Sequence, residues 1–377
     1  MKIIIGADLV PTKATEQYFI DGNGEAIVGK EVLERIKKAD FCLYNMEVPL
    51  TDVCAPIDKA GPALIAKTAT IAGYKALNTS MVTLCNNHTL DQGEQGLIST
   101  MEVLKANGID YIGVGKNVEE ARKPKIVELG GKKVGIFTCC AHEFSFATET
   151  QMGAYAVDYL ETPDEIMEFK KKVDYLIVLY HGGKEYFKYG SPEVMKLCRK
   201  FVDKGADLVV CQHTHAVGCM EDYNGGKIIY GQGNFCFVSN SDNEEWHTGM
   251  LIELDLDTMK FDFIPLQMTG DGVVLGDKSI IDGFYERTEA IKKPGYVEKV
   301  YEEFANQKLK YYLYVFAGAM DNPEVAKAWG EGDFKHIKYL LQKKSRAHLI
   351  NHVECEDHRE IFLYAIRKYR EKHYNED

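Results

Sequence analysis

The sequence predicts an α/β fold, a layered sandwich followed by a helical C-terminal extension. Three observations predict it. Over roughly the first 220 residues, apolar runs of strand type alternate with stretches of helical spacing, the pattern of a largely parallel sheet covered by helices. Residues 227–238 and 248–266 then read as antiparallel strands, with alternation in K-F-D-F-I-P-L. From about residue 280 the pattern is mostly helical and strongly charged. The expected division is a main domain over 1–270 and a mainly helical extension over 271–377, packed on that same domain.

In chain order, residues 2–7 form a buried strand that ends at Asp8, and 31–39 have helical spacing. Residues 41–44 are a second apolar run, ending at Asn45-Met46-Glu47. A helix over 66–77 leads to a third strand over 81–85, which ends at Asn86-Asn87-His88. Residues 93–107 are a well-patterned helix, with Leu97, Met101 and Leu104 near one face. Short strands follow at 111–114 and 133–139. Pro163 begins a helix to about 172, and the dense run D-Y-L-I-V-L-Y at 174–180 stops at His181. Ser191-Pro192 caps a helix to about 204, because Ser suits the cap and Pro the first turn. The next strand, 208–211, runs into Gln212-His213-Thr214-His215.

Bulk properties narrow the function. The chain has 377 residues, 45% of them apolar, enough for a sizeable core. A net charge of -12 argues against a broad nucleic-acid or anionic-lipid surface. The ten cysteines form no C-x-x-C pair and read as small buried hydrophobes of a reducing compartment. The opening M-K-I-I-I-G-A-D is too short an apolar run for a signal peptide, and no later stretch has the length of a membrane span. These features place the chain in the cytoplasm.

The polar residues fall where strands stop. Five strands end at Asp8, at Asn45 and Glu47, at Asn86, Asn87 and His88, at His181, and at His213 and His215. Each has a plain structural explanation as a turn residue, a solvated carboxylate or a hydrogen-bonded histidine. Together they point to a metal site at one carboxyl edge of the sheet, where α/β folds bind ligands. In an extended segment, residues two apart share a side, which would aim His213 and His215 at one point. Two divalent ions about 3.5–4 Å apart hold a phosphoryl oxygen and generate hydroxide at neutral pH. A carboxylate can bridge them. Imidazole, carboxylate and amide ligands together suit manganese, iron or zinc, as one ion or two. A neighbouring uncoordinated histidine can protonate the leaving oxygen.

The motifs G-A-D, N-M-E-V-P-L-T (45–51), C-N-N-H-T-L-D-Q-G (85–93), H-G-G-K-E-Y (181–186), G-A-D-L-V-V-C-Q-H-T-H (205–215) and Y-G-Q-G-N-F-C-F (230–237) resemble the bacterial CapA family. That family is associated with capsule and poly-γ-glutamate synthesis, and the likeness covers roughly residues 1–270. The resemblance implies the α/β/β/α sandwich of the calcineurin-like metallophosphoesterases. It implies Asp8 and His215 as ligands of a first metal, Glu47 as the bridge, and Asn87, His181 and His213 as ligands of a second. His88 would be the catalytic histidine. Phosphoesterases of this fold usually have D-x-H on strand one, where this chain has D-L-V. Many relatives have G-H-H-P-H where it has C-Q-H-T-H.

Asn45, Asn86, Glu185 and Asn234 are candidates for substrate contact or ligand support, Asn234 equally as a turn residue. Lys59 and Lys67 read as solvated. His142, His247 and the four histidines from 336 to 358 have no partner motif. The expected partner is an anionic small molecule or an acidic polymer, and the charged C-terminal helices suit a cover or a homo-oligomer surface. The leading expectation is a metal-dependent phosphoesterase. The alternatives are a non-hydrolytic accessory protein of polyanion synthesis, and a metallo-amidohydrolase acting on a glutamyl amide.

Overall fold

A computed structural model of the protein describes residues 1–317, 322–332 and 338–354. Its first sheet is built outward from Lys2–Leu9, an apolar strand buried beyond its first residue. On one side lie, in parallel, Phe41–Met46, Met81–Thr83 and Asp110–Ile112. On the other lie, antiparallel, Thr248–Asp255, Lys260–Met268 and Val273–Leu275. The second sheet runs Met220–Tyr223, Gly226–Ile229, Leu208–Gln212, Tyr175–His181, Lys132–Cys140 and Lys125–Leu129.

Alternation along the strands makes the layers. Ile3, Ile5, Leu43 and Met81 of the first sheet pack against Val134, Ile136, Ile177, Leu179, Leu208 and Val210 of the second. The opposite faces, including Ile4, Cys42, Phe137, Val178 and Val209, join a second core with helix residues such as Ile27, Leu97, Ile166 and Phe201. The result is the α/β/β/α sandwich expected. Helix Pro192–Asp203 starts as read, with Ser191 accepting from the Val194 N–H at 3.3 Å. Eight of the nine described cysteines are buried and all nine are free thiols.

Three expectations change. Residues 227–238 are not one antiparallel strand. Gly226–Ile229 pairs parallel to Leu208–Gln212, and Asn234–Cys236 pairs parallel to the first strand in the other sheet. Gly231 and Gly233, both at positive φ, turn the chain between sheets. Gly249 lets it pass, since a Cβ there would lie 1.8 Å from the Asn234 carbonyl oxygen. Second, the polar strand ends come from two sheets rather than one edge. Third, Lys125–Leu129 and Met220–Tyr223 are strands that periodicity did not mark.

The chain divides into compact units Met1–Lys299 and Val300–Asp377. Helices Pro323–Gly330 and Lys343–Glu354 lie in the second, where Tyr314 stacks on Trp329 with ring centroids 5.4 Å apart. His336, His358 and the acidic run from 354 to 360 lie largely outside the described residues. Among the described residues no helix is long and apolar enough to cross a membrane.

Candidate metal centre

Strand register assembles the site. Asp8 is paired with Asn45 on one neighbour and with Asn234 on the other, so three polar side chains occupy one row of the first sheet. Glu47 follows directly on its strand. In the second sheet, Cys140, His181 and Gln212 form the corresponding row. Gln212 ties the sheets together: its Nε2 donates to the Gly6 carbonyl at 3.2 Å and to Gln232 Oε1 at 3.1 Å. Gln232 in turn donates to the Ile5 carbonyl at 3.0 Å.

His213 and His215 do not continue the strand. Both adopt left-handed backbone, φ 86° and 50°, so a turn rather than extended alternation aims their rings. Such strain costs on the order of 1–3 kcal/mol per residue and persists only where packing holds it.

Two groups of potential ligands result. Glu47, His181 and His213 form one and Asp8, Glu47 and His215 the other, and within each group the ligand atoms lie within 4.8 Å of one another. All five residues are buried. Glu47 belongs to both groups. Asn87 Oδ1 lies 3.0 Å from His181 Nε2, beside the first group. Among the described residues, no hydrogen bond satisfies Asp8 Oδ2, either oxygen of Glu47, or His213 Nδ1. Asp8 Oδ2 and Glu47 Oε1 have only close contacts to His215 Nδ1 at 3.2 Å and His181 Nε2 at 3.3 Å, and leaving the others unsatisfied costs about 1–3 kcal/mol each. These atoms fit a cation site.

The electrostatics fit as well. Burial pushes His181 down to about 4 and His213 well below the usual imidazole range, so both are neutral and ligand-ready. Burial, reinforced by the Asp8 charge, pushes the Glu47 carboxyl well above its usual value. Burial opposes ionisation of Asp8 and His215. Their mutual contact at 3.2 Å outweighs it, holding Asp8 at about 2 and His215 at about 9. A cation at Asp8, Glu47 and His215 therefore displaces protons.

The supporting polar residues are ordered. Asn45 donates to Asp8 Oδ1 at 2.8 Å and approaches His181 Nδ1 at 3.3 Å. Asn86 donates to Asn45 Oδ1 and to the Met46 carbonyl, both at 2.9 Å, and so steadies the amide that holds Asp8. Asn234 donates to the Trp246 carbonyl at 2.9 Å, which turns its Oδ1 to His215 Nδ1 at 2.8 Å. Glu185 is half-buried on the loop after His181 and has no hydrogen-bond or ion-pair partner among the described residues.

His88 Nδ1 lies 2.5 Å from Asp91 Oδ2, and Lys59 Nζ lies 2.5 Å from Asp91 Oδ1. Lys59 is thus not solvated: its side chain is 2% exposed. Lys67 is exposed and paired with Glu16. His142 packs on Phe146, and His247 contacts the Ser241 carbonyl. The sequence singled out neither Asp91 nor Glu143, and Lys59 read as solvated; Glu143 lies beside Asn87, His181 and His213. Asp91 had a signal, its i+3 spacing from His88. Glu143 had a weaker one, following a central strand that ends in cysteines with no Asp, Glu, Asn or His. Lys59 lies on an irregular loop with no periodicity to read.

A model of the bacterial capsule synthesis protein family PGA_cap matches residues 4–239. The chain belongs to that family. This PGA_cap chain is 30% identical over 230 residues to a PGA biosynthesis protein CapA of Bacillus subtilis, covering 60% of this chain and 59% of that protein. It is 29% identical over 227 residues to a capsule biosynthesis protein CapA of Bacillus anthracis, covering 57% and 54%. A probable polyglutamine synthesis accessory protein of Mycobacterium tuberculosis is 27% identical over 224 residues, covering 56% and 58%. The chain therefore spans little more than half the length of these relatives. Among solved structures, a 5'-nucleotidase precursor from Thermus thermophilus superposes with TM-score 0.43 at 14% identity, over 78% of this chain and 59% of that one.

Proposed function

We propose that this PGA_cap protein is a divalent-metal-dependent hydrolase of phosphate esters serving capsule or poly-γ-glutamate biosynthesis. The observation that carries the reading is the pair of buried ligand groups sharing Glu47. Asp8 and His215 would hold one cation, Asn87, His181 and His213 the other, and Glu47 both. Manganese, iron or zinc suits this donor set. Such a pair supplies a positive hold on a phosphoryl oxygen and a nucleophilic hydroxide at neutral pH.

The chain's own residues do the rest. Asn234 Oδ1 lies 2.8 Å from His215 Nδ1, the nitrogen that also faces Asp8 Oδ2 at 3.2 Å, and fixes that ring. Asn45 orients Asp8. Gln212 and Gln232 hold the two sheets, and so the two ligand groups, at a set separation. Asp91 accepts the Nδ1 proton of His88, leaving Nε2 as the nitrogen that gives a proton to the leaving oxygen. Lys59 shares the same carboxylate and balances its buried charge.

The test uses manganese-loaded protein with mono- and diester chromogenic substrates, beside His88→Ala and His213→Ala. Turnover that survives both substitutions rules this site out as its source. A second reading, a non-hydrolytic accessory protein that binds an acidic polymer or synthase partner, is supported by the name of the mycobacterial relative. Binding of poly-γ-glutamate without any ester turnover would favour it.

A further inference from the structure

Glu143 follows the strand Lys132–Cys140 on a loop tied to both sides of the Glu47, His181 and His213 group. The Ala141 N–H donates to the His181 carbonyl at 2.9 Å. Ser145 Oγ donates to the Asn87 carbonyl at 2.7 Å and accepts from the Leu90 N–H at 3.2 Å. Phe144, between these anchors, is held at a positive φ of 43°. Packing therefore maintains a strained turn that places Glu143 beside Asn87.

The Glu143 carboxylate reaches in two directions. Its Oε2 accepts from Asn87 Nδ2 at 3.1 Å, and its Oε1 lies 4.0 Å from His213 Nε2. A carboxylate accepts hydrogen bonds and an amide NH2 only donates, so this contact decides which way Asn87 faces. Nδ2 must point to Glu143, and Oδ1 then points to His181 Nε2, 3.0 Å away. Only that orientation offers a cation the oxygen lone pairs. The flipped amide would present two N–H donors to it. Glu143 itself is 43% exposed and stands outside both buried ligand groups.

We propose that Glu143 is a positioning residue. It locks the Asn87 carbonyl oxygen onto the cation position of Glu47, His181 and His213, and so sets the affinity of that position and not of the other. The proposal rests on the metal reading given above. Its chemistry is that of an outer carboxylate orienting a ligand, a contact whose loss typically weakens binding 10–100-fold.

The test is calorimetric titration of manganese into full-length, chelator-stripped protein, comparing wild type, Glu143→Ala and Glu143→Gln. Gln keeps an oxygen that accepts from Asn87 Nδ2 but removes the charge. The expected result is a loss of about 10–100-fold at one of two sites in Glu143→Ala, with Glu143→Gln restoring most of it. The melting temperature of metal-free Glu143→Ala stays at the wild-type value, because the side chain is half exposed and the loop keeps its Ser145 and Ala141 anchors. Wild-type affinity in Glu143→Ala overturns the proposal. So does Glu143→Gln as weak as Glu143→Ala, since charge rather than amide orientation would then matter. Wild type that takes up no manganese overturns the metal reading itself.

Discussion

Replacing Glu47 with Gln should reverse the stability order of mutant and wild type according to whether a divalent cation is present. Glu47 is fully buried, neither oxygen is hydrogen-bonded, and its carboxyl titrates well above the usual range because of burial and then the Asp8 charge. A carboxyl that holds its proton more tightly folded than unfolded contributes stability below its unfolded value near 4.5, and loses it as pH rises. A buried carboxyl left without its cation typically costs a few kcal/mol, about 3. The Gln amide brings unpaired buried donors of its own, about 1–2 kcal/mol. The metal-free mutant should then be more stable by about 1–2 kcal/mol, or about 2–4 °C in melting temperature for a unit of this size. Saturating manganese acts the other way. Two ions at a hundred times their dissociation constants add about 5 kcal/mol to the wild type, near 10 °C, and little to a mutant without the shared carboxylate. Thermal unfolding in chelator and in manganese, from pH 6 to 8, reads both arms. The reasoning is refuted if Glu47→Gln melts below wild type in chelator across that range, or keeps the full manganese shift.

Other perturbations test the surroundings. Lys59→Met leaves the fully buried Asp91 without its cation and should cost about 3–5 kcal/mol in urea unfolding, largely recovered by adding Asp91→Asn; a loss under about 1 kcal/mol would remove the ion pair from the account. Gln212→Leu breaks the bridge to Gly6 and Gln232 and leaves a buried carbonyl unpaired, about 2–3 kcal/mol, with weaker manganese binding as the sheets relax. Unchanged stability and affinity would show that Gln212 does not set the separation. Manganese binding should tighten as pH rises toward 9 and release protons, because Asp8 holds the His215 proton up to about 9. Calorimetry in two buffers of different ionisation enthalpy measures that release, and heats independent of buffer would contradict it. Metal-free stability should fall as pH drops from 6.5 through about 4, since burial keeps His181 neutral there while the unfolded chain takes up a proton, about 3 kcal/mol for that one ring.

The candidate site was legible where a ligand-type side chain ends an apolar run. Asp8 and His181 lie at the ends of buried strands, Glu47, His213 and His215 just past them, and strand periodicity needs only local residue order. What the five residues face was not legible. Asp8 and His215 come from different sheets, and their meeting depends on Gln212 bridging to Gly6 across 206 positions of sequence. The run 227–238 shows the same limit, because its two glycines signal a break but not which sheet the chain will enter next.

Residue order alone therefore determined that this chain builds a layered α/β core and brings carboxylates, amides and imidazoles to strand ends. The tertiary structure decided that Glu47 belongs to both candidate ligand groups, that Lys59 is buried against Asp91, and that Glu143 accepts a hydrogen bond from Asn87. The physical reason is range. Periodicity and burial are set by near neighbours along the chain, whereas ligand sharing, amide orientation and charge balance depend on sub-ångström separations that only the packing of two sheets can impose.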